Sequence, residues 1–198
     1  MSDYFKNTSC YIMAGGKSSR MGGIDKGLMF VDHRRMVELI LEKVKPYFAD
    51  IKIVSNNPDY QTCGLAVLPD LVKDIGPAGG ICTALRDCST KRLFVLSCDM
   101  PFVTTEAMAF LLMAAEGYDI TLPSHHDKIE PLFSVISKSC EVLWEKSIQQ
   151  GVYKLQDIMA NFNTLRLAVD ENKLFAGDFF MNVNTQQSFD EAKQKLRA

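Results

Sequence analysis

The chain has 198 residues, with 22 Lys and Arg against 24 Asp and Glu, a formal net charge of −2. Hydrophobic residues make up 47% and charged residues 23%, so the chain can bury a core and is not a disordered segment. The slightly acidic balance and the lack of a dense basic run argue against a nucleic-acid partner, while leaving room for a small phosphate ligand.

No apolar run approaches the roughly 20 residues that span a bilayer. Met1 to Ser9 is polar and lacks the basic-then-apolar order of a signal peptide, so the expectation is a cytoplasmic protein without a membrane partner. The six cysteines form no Cys-x-x-Cys pair, and the three histidines do not fall at zinc-finger spacing. They read as free thiols in a reducing compartment.

Strand and helix alternate along the chain. Tyr11-Ile12-Met13 reads as a buried strand running into Gly15-Gly16. Met36, Leu39, Ile40, Val44 and Phe48 follow helical spacing. Ile51 to Val54 and Leu65 to Leu68 are the next strands. Gly76-Pro77-Ala78-Gly79-Gly80 reads as a loop leading into a helix over 81–88. Leu93 to Leu96 is a continuous apolar run of the kind a sheet covered on both faces requires. Thr104 is placed to cap the following helix, whose apolar stripe covers 108–113.

Further strands are expected at 120–122, 132–136 and 165–169, with another at Phe179-Phe180. Helices are expected at 139–147 and 153–159. Ser188 to Glu191 has a capping-box pattern that would open the last helix. His125-His126 reads as a solvated loop, since no third ligand stands at useful spacing. The alternation predicts a single-domain α/β fold, a Rossmann-like three-layer sandwich with a mainly parallel sheet. Ligands of such folds gather at the carboxyl ends of the strands. Three polar clusters stand there: Gly15 onward, Asp99, and Asn182-Val183-Asn184.

The first cluster reads Met13-Ala14-Gly15-Gly16-Lys17-Ser18-Ser19-Arg20-Met21-Gly22-Gly23-Ile24-Asp25-Lys26-Gly27-Leu28. Glycines let backbone N–H groups approach a phosphate chain, and Arg20 and Lys26 add cations for its oxygens. The spacing is neither that of a P-loop nor that of the dinucleotide fingerprint. Asp99 leaves the most apolar strand, where a carboxylate can hold Mg²⁺ or simply cap a turn. Asp70 also follows a strand, where turn chemistry is a competing reading. Asn182 and Asn184 flank one residue, so in an extended segment both amides share a face and can read a polar heteroaromatic ring. Alone, a helix-entry turn before Ser188 is the favoured reading of the pair.

The opening motif, together with Gly76-Pro77-x-x-Gly80, Cys98-Asp99-Met100-Pro101, Glu130-Pro131-Leu132-Phe133 and Asn182-Val183-Asn184-Thr185, resembles the nucleotidyltransferases that activate sugars and cofactors. The resemblance is strongest to the molybdenum cofactor guanylyltransferases and runs the whole chain in order. It implies transfer of GMP from GTP to the phosphate of molybdenum-bound molybdopterin, with Mg²⁺ held by Asp99. It implies catalytic roles for Arg20, Lys26 and Asp99. It implies GTP contacts at Met13, Ala14, Gly15, Gly16, Lys26, Asn56, Asn57, Asp70, Gly80 and Asp99, and pterin contacts at Asn182 and Asn184. The nucleotide part would cover about 9–105 and the acceptor part about 106–198. Transient contacts with other proteins of molybdenum cofactor synthesis are a further expectation. A cytidylyltransferase or sugar-phosphate nucleotidyltransferase, or a nucleotide-binding module without turnover, remains an alternative.

Overall fold

A computed structural model describes residues 3–15 and 25–197. Of the expected site residues, Gly16 and Arg20 lie outside that set. A short helix α1 (Asp3–Lys6) leads into strand β1 (Thr8–Met13), all six of whose residues are buried. A ribbon of β2 (Phe30–Val31) and β3 (Arg34–Arg35) precedes helix α2 (Met36–Val44). Then come β4 (Ile51–Val54), β5 (Ala66–Leu68), α3 (Pro77–Asp87), β6 (Arg92–Ser97) and α4 (Thr105–Ala114). The second half adds β7 (Ile120–His125), β8 (Lys128–Ile129), β9 (Phe133–Ser137), α5 (Glu141–Gln149) and α6 (Leu155–Met159). It closes with β10 (Thr164–Ala168) and α7 (Gln186–Arg197).

Apart from the separate β2–β3 ribbon, the strands form one sheet in the order β10-β7-β9-β6-β1-β4-β5, with β8 paired to β7. β1 runs parallel to β4 and β6, and β10 parallel to β7. Only β9 and the short β8 run against the others. Alternation along β1 sends Cys10 and Ile12 to one face and Tyr11 and Met13 to the other. On the first face Ile40 and Val44 of α2 and Met108 and Leu111 of α4 cover the sheet. On the second, Ile81 and Leu85 of α3 and Trp144 and Ile148 of α5 cover it. Both faces of the sheet are therefore apolar, which is why Cys10–Met13 of β1 and Leu93–Leu96 of β6 read as hydrophobic runs. The result is the expected three-layer sandwich. A third cluster packs Val183, Phe189 and Ala192 of the C-terminal segment onto Val31, Met36 and Leu39.

Three expectations change. The Gly76-to-Gly80 segment is not a loop: α3 begins at Pro77, a residue suited to a helix's first turn. Gly76 precedes it at φ 67 and ψ −153, a conformation essentially reserved for glycine. Gly79 lies inside α3, and the position calls for glycine because a Cβ there would lie 2.5 Å from the Val72 carbonyl oxygen. Phe179-Phe180 is no strand but a turn, in which the Phe179 ring packs edge-on with Phe133, Phe175 and Phe180 while Phe180 stacks on Phe175. The last helix opens earlier than expected, where Thr185 and Ser188 cap each other: the Ser188 amide donates to Thr185 Oγ1 at 3.1 Å and the Thr185 amide to Ser188 Oγ at 2.9 Å.

Candidate active site

The carboxyl ends of β1, β4, β5 and β6 open into one cleft of about 830 Å³. β1 delivers Met13, Ala14 and Gly15 to its wall. The turn after β4 adds Ser55, Asn56 and Asn57, and the chain after β5 adds Asp70. Gly76, Pro77 and Gly80 bring in the N-terminal turn of α3, where the positive end of the helix dipole favours an anionic ligand. Ser97 and Asp99 arrive at the end of β6, and Asn184 arrives from the C-terminal segment. Parallel strands place these distant residues together because all of them end at one edge of the sheet.

Asp25 and Lys26 enter the cleft from the exit of the glycine-rich loop. Asp25 caps the short turn Lys26–Leu28, accepting from the Gly27 amide at 3.3 Å. The same carboxylate accepts from the Tyr60 hydroxyl at 2.5 Å and from Asn57 Nδ2 at 3.3 Å. Tyr60 is fully buried, and burial together with the neighbouring Asp25 and Cys98 keeps its phenol protonated as a donor. Gly27 fits only without a side chain: a Cβ would lie 2.2 Å from Tyr60 Oη and 3.2 Å from Cys98 Sγ. The turn so fixed aims the Lys26 ammonium at Asn184 Oδ1, 2.7 Å away.

Half-buried carboxylates stand in the cleft and beside it. Burial pushes the Asp99 carboxyl above the usual range, while the Ser97 hydroxyl, donating at 2.5 Å, and the Lys26 charge pull it back. Burial likewise raises Asp70, which accepts from Asn56 Nδ2 at 2.8 Å and donates its amide to Asn56 Oδ1 at 3.0 Å. Glu130, in the chain between β8 and β9, is raised by burial and by the negative charge of Asp99, against a hydrogen bond from Asn182. Desolvated carboxylates of this kind gain most when a cation joins them. Asp99 thus fits a hard divalent cation: it is an oxygen donor in a cleft, held by one hydroxyl, with its charge incompletely compensated.

Every described residue expected to contact nucleotide lines this cleft: Met13, Ala14, Gly15, Lys26, Asn56, Asn57, Asp70, Gly80 and Asp99. Asn184 lines it as well. Asn182 sits one residue before Val183, whose amide donates to the Asp99 carbonyl at 2.9 Å, and meets Glu130 rather than Lys26. Asp25, Tyr60 and Glu130 escaped a reading of the sequence as site residues. Asp25 and Glu130 stand in the motifs already quoted, whereas nothing local marks Tyr60.

The chain matches the model of the MobA-like NTP transferase domain over residues 10–165. It is 32% identical to a probable molybdenum cofactor guanylyltransferase of Clostridium perfringens, covering 94% of this chain and 96% of the relative. It is 30% identical to the molybdenum cofactor guanylyltransferase of Desulfosudis oleivorans, covering 94% and 95%. The crystal structure of molybdopterin-guanine dinucleotide biosynthesis protein A from Archaeoglobus fulgidus superposes with a TM-score of 0.81 at 25% identity, over 96% of this chain and 98% of that one. The fold, though not the sequence, is shared with a 2-C-methyl-D-erythritol 4-phosphate cytidylyltransferase of Thermus thermophilus, at a TM-score of 0.72 and 14% identity over 96% and 98%.

Proposed function

The chain belongs to the MobA-like NTP transferase family, among its molybdenum cofactor guanylyltransferases, and from that premise we propose that it transfers GMP from GTP to the terminal phosphate of molybdenum-bound molybdopterin. An acceptor phosphate oxygen attacks the α-phosphorus of GTP, the bond from that phosphorus to the β-phosphate oxygen breaks, and pyrophosphate leaves. The observation that carries this reading is the meeting of Lys26, Asp99 and Asn184 in one cleft beside the N-terminal turn of α3.

The attacking group is already an anion at neutral pH, so no activated Ser, Cys or His is needed. Catalysis then consists of positioning and charge neutralisation. Met13, Ala14, Gly15, Asn56, Asn57, Asp70 and Gly80 form the nucleotide wall, and a GTP contact is assigned to Gly16 by its motif alone. Lys26 and Arg20 neutralise the phosphates and the leaving pyrophosphate. Mg²⁺, when bound, supplies further charge neutralisation on the phosphates, and Asp99 is the residue that would hold it. Asn182 and Asn184 face the pterin from the acceptor part, about 106–198, against the nucleotide part, about 9–105. The substrates are small molecules, so contacts with other proteins of the pathway would be transient, and the setting would be the cytoplasm.

Pyrophosphate release tests the reading, with GTP and CTP in parallel, with and without molybdenum-loaded molybdopterin, in Mg²⁺ or in chelator. Release is expected with GTP only, only with acceptor, and only with the metal. Asp99→Asn should lower the rate by about 10²–10³, the cost of a main electrostatic contact, with its melting curve kept. Release with CTP in preference to GTP, or normal turnover of Asp99→Asn at limiting Mg²⁺, would overturn it.

A further inference from the structure

The paired histidines acquire a third ligand in the fold. β7 ends at His125 and turns back into β8 through His126 and Asp127, both at positive φ. Beside it β10 runs parallel, with Ala168 opposite Ser124 and the Val169 amide donating to the Ser124 carbonyl at 3.0 Å. Asp170 therefore emerges next to the two imidazoles, although 44 residues separate it from His126. His126 Nδ1 lies 3.1 Å and His125 Nε2 4.0 Å from Asp170 Oδ1, and one ligand atom from each of the three residues falls within 4.8 Å of the others.

We propose that His125, His126 and Asp170 form a second cation site, for a borderline divalent transition metal such as Zn²⁺ or Ni²⁺. Two imidazoles and one carboxylate are the donor set such ions take, and one that Mg²⁺ does not favour. A tetrahedral ion with bonds of about 2.0–2.1 Å separates its ligands by roughly 3.3–3.5 Å. The Asp170–His126 spacing is already close to that figure, and the remaining closure is under about 1.5 Å on it, within reach of a half-exposed His125 ring and an exposed His126 ring. The Asp170 carboxyl is ready as a ligand: a hydrogen bond from the His126 amide at 2.8 Å holds it below the usual carboxylate range. With three protein ligands, a fourth position stays open to water or to a ligand.

The site stands at the same sheet edge as the candidate active site but shares no residue with the cleft lining. The His125 ring stacks on Phe180, centroids 4.8 Å apart and planes 18° off parallel. Two residues beyond Phe180 comes Asn182. An ion at His125 would thus fix the base of the segment that carries Asn182 and Asn184. This inference does not depend on the proposed reaction.

The test is calorimetric titration of ZnCl₂ into the full chain, freed of metal by chelator and held in excess Mg²⁺. One ion per chain is expected to bind with micromolar affinity. His126→Asn keeps a residue that tolerates positive φ, and it should weaken binding by at least the ~10–100-fold that loss of a mere supporting group costs a metal site. Asp170→Asn should do the same, whereas His33→Asn and Cys63→Ser should leave binding unchanged. Nuclear magnetic resonance should show Ni²⁺ broadening the ring protons of His125 and His126 before those of His33. The proposal fails if Mg²⁺ suppresses the binding, if His126→Asn and Asp170→Asn bind Zn²⁺ like the wild type, or if Cys63→Ser abolishes binding.

Discussion

Asn182 and Asn184 flank a buried Val183, yet their amides meet different partners. Asn184 Oδ1 accepts from the Lys26 ammonium at 2.7 Å and faces the cleft, whereas Asn182 hydrogen-bonds to Glu130. The segment is not a regular strand, so the alternation that would put both amides on one face does not apply. The two truncations should therefore separate kinetically. Asn182→Ala should raise KM for the molybdopterin acceptor by about tenfold, with GTP affinity kept, because an unpaired buried partner costs about 1–3 kcal/mol. Asn184→Ala should lower kcat and weaken GTP as well as the acceptor, because it removes the hydrogen bond that holds the Lys26 ammonium. In a cycle of Lys26→Ala and Asn184→Ala the losses should not add, since both act through one contact. Initial-rate kinetics in both substrates reads these outcomes; additive losses would separate the two residues.

The turn Lys26–Leu28 is the element that converts the loop sequence into a placed cation, and its fit is steric. A Cβ at Gly27 would meet Tyr60 Oη at 2.2 Å, and the phenol cannot retreat because it is fully buried and bonded to Asp25. Gly27→Ala should therefore displace Lys26, lowering turnover more than tenfold at a stability cost of about 1–3 kcal/mol. Tyr60→Phe relieves part of the clash, so it should recover some of the stability in the double variant, as denaturant midpoints would show. Such elements explain what was legible in the sequence and what was not. β4 begins and ends where the expected strand Ile51–Val54 does, and β6 extends the apolar run Leu93–Leu96 by one residue each way, because burial of β6 on both faces leaves an unmistakable pattern. The glycines of α3 misled because close packing against Val72 needs the same residue that a loop needs. Phe179 and Phe180 misled because aromatic rings satisfy a turn's packing as well as a strand's. The cleft itself was legible as far as motifs carry it. The Tyr60–Asp25 and Lys26–Asn184 contacts, 35 and 158 residues apart in sequence, exist only once the sheet is assembled.

At the scale of the molecule, the catalytic edge is built against the stability of the free chain. Asp70, Asp99 and Glu130 all have raised carboxyls, so the native state holds protons that the unfolded chain has lost. Stability then falls as pH rises from the ordinary carboxylate values through the raised ones. The exposed Asp32 and Asp170 are shifted the other way, by partners in high dielectric where such shifts carry little stability. Glu130→Gln should accordingly melt above the wild type at neutral pH, and the gap should close as pH falls toward the ordinary glutamate value; a gap constant with pH would remove the titration from the account. The opposite lever is the C-terminal helix. Phe189 buries its ring with Val31, Met36, Leu39 and Val183, and the Val183 amide reaches the Asp99 carbonyl. The helix α7 is further tied by ion pairs from Lys195 to Asp178 and from Arg197 to Asp32. Phe189→Ala should cost about 3–5 kcal/mol, as a large-to-small change in a packed cluster does. Its effect should also reach the reaction, because the segment carrying Asn182 and Asn184 leans on that cluster. Phe5→Ala is the comparison: Phe5 is equally buried, against Tyr47 and Phe48 near the amino end of β1, away from the cleft. Both variants should lose several degrees of Tm. At a temperature where both remain folded, only Phe189→Ala should lose acceptor-dependent turnover. Equal losses in the two would mean that the cluster serves stability alone and that the asparagines are placed by the Val183–Asp99 bond without it.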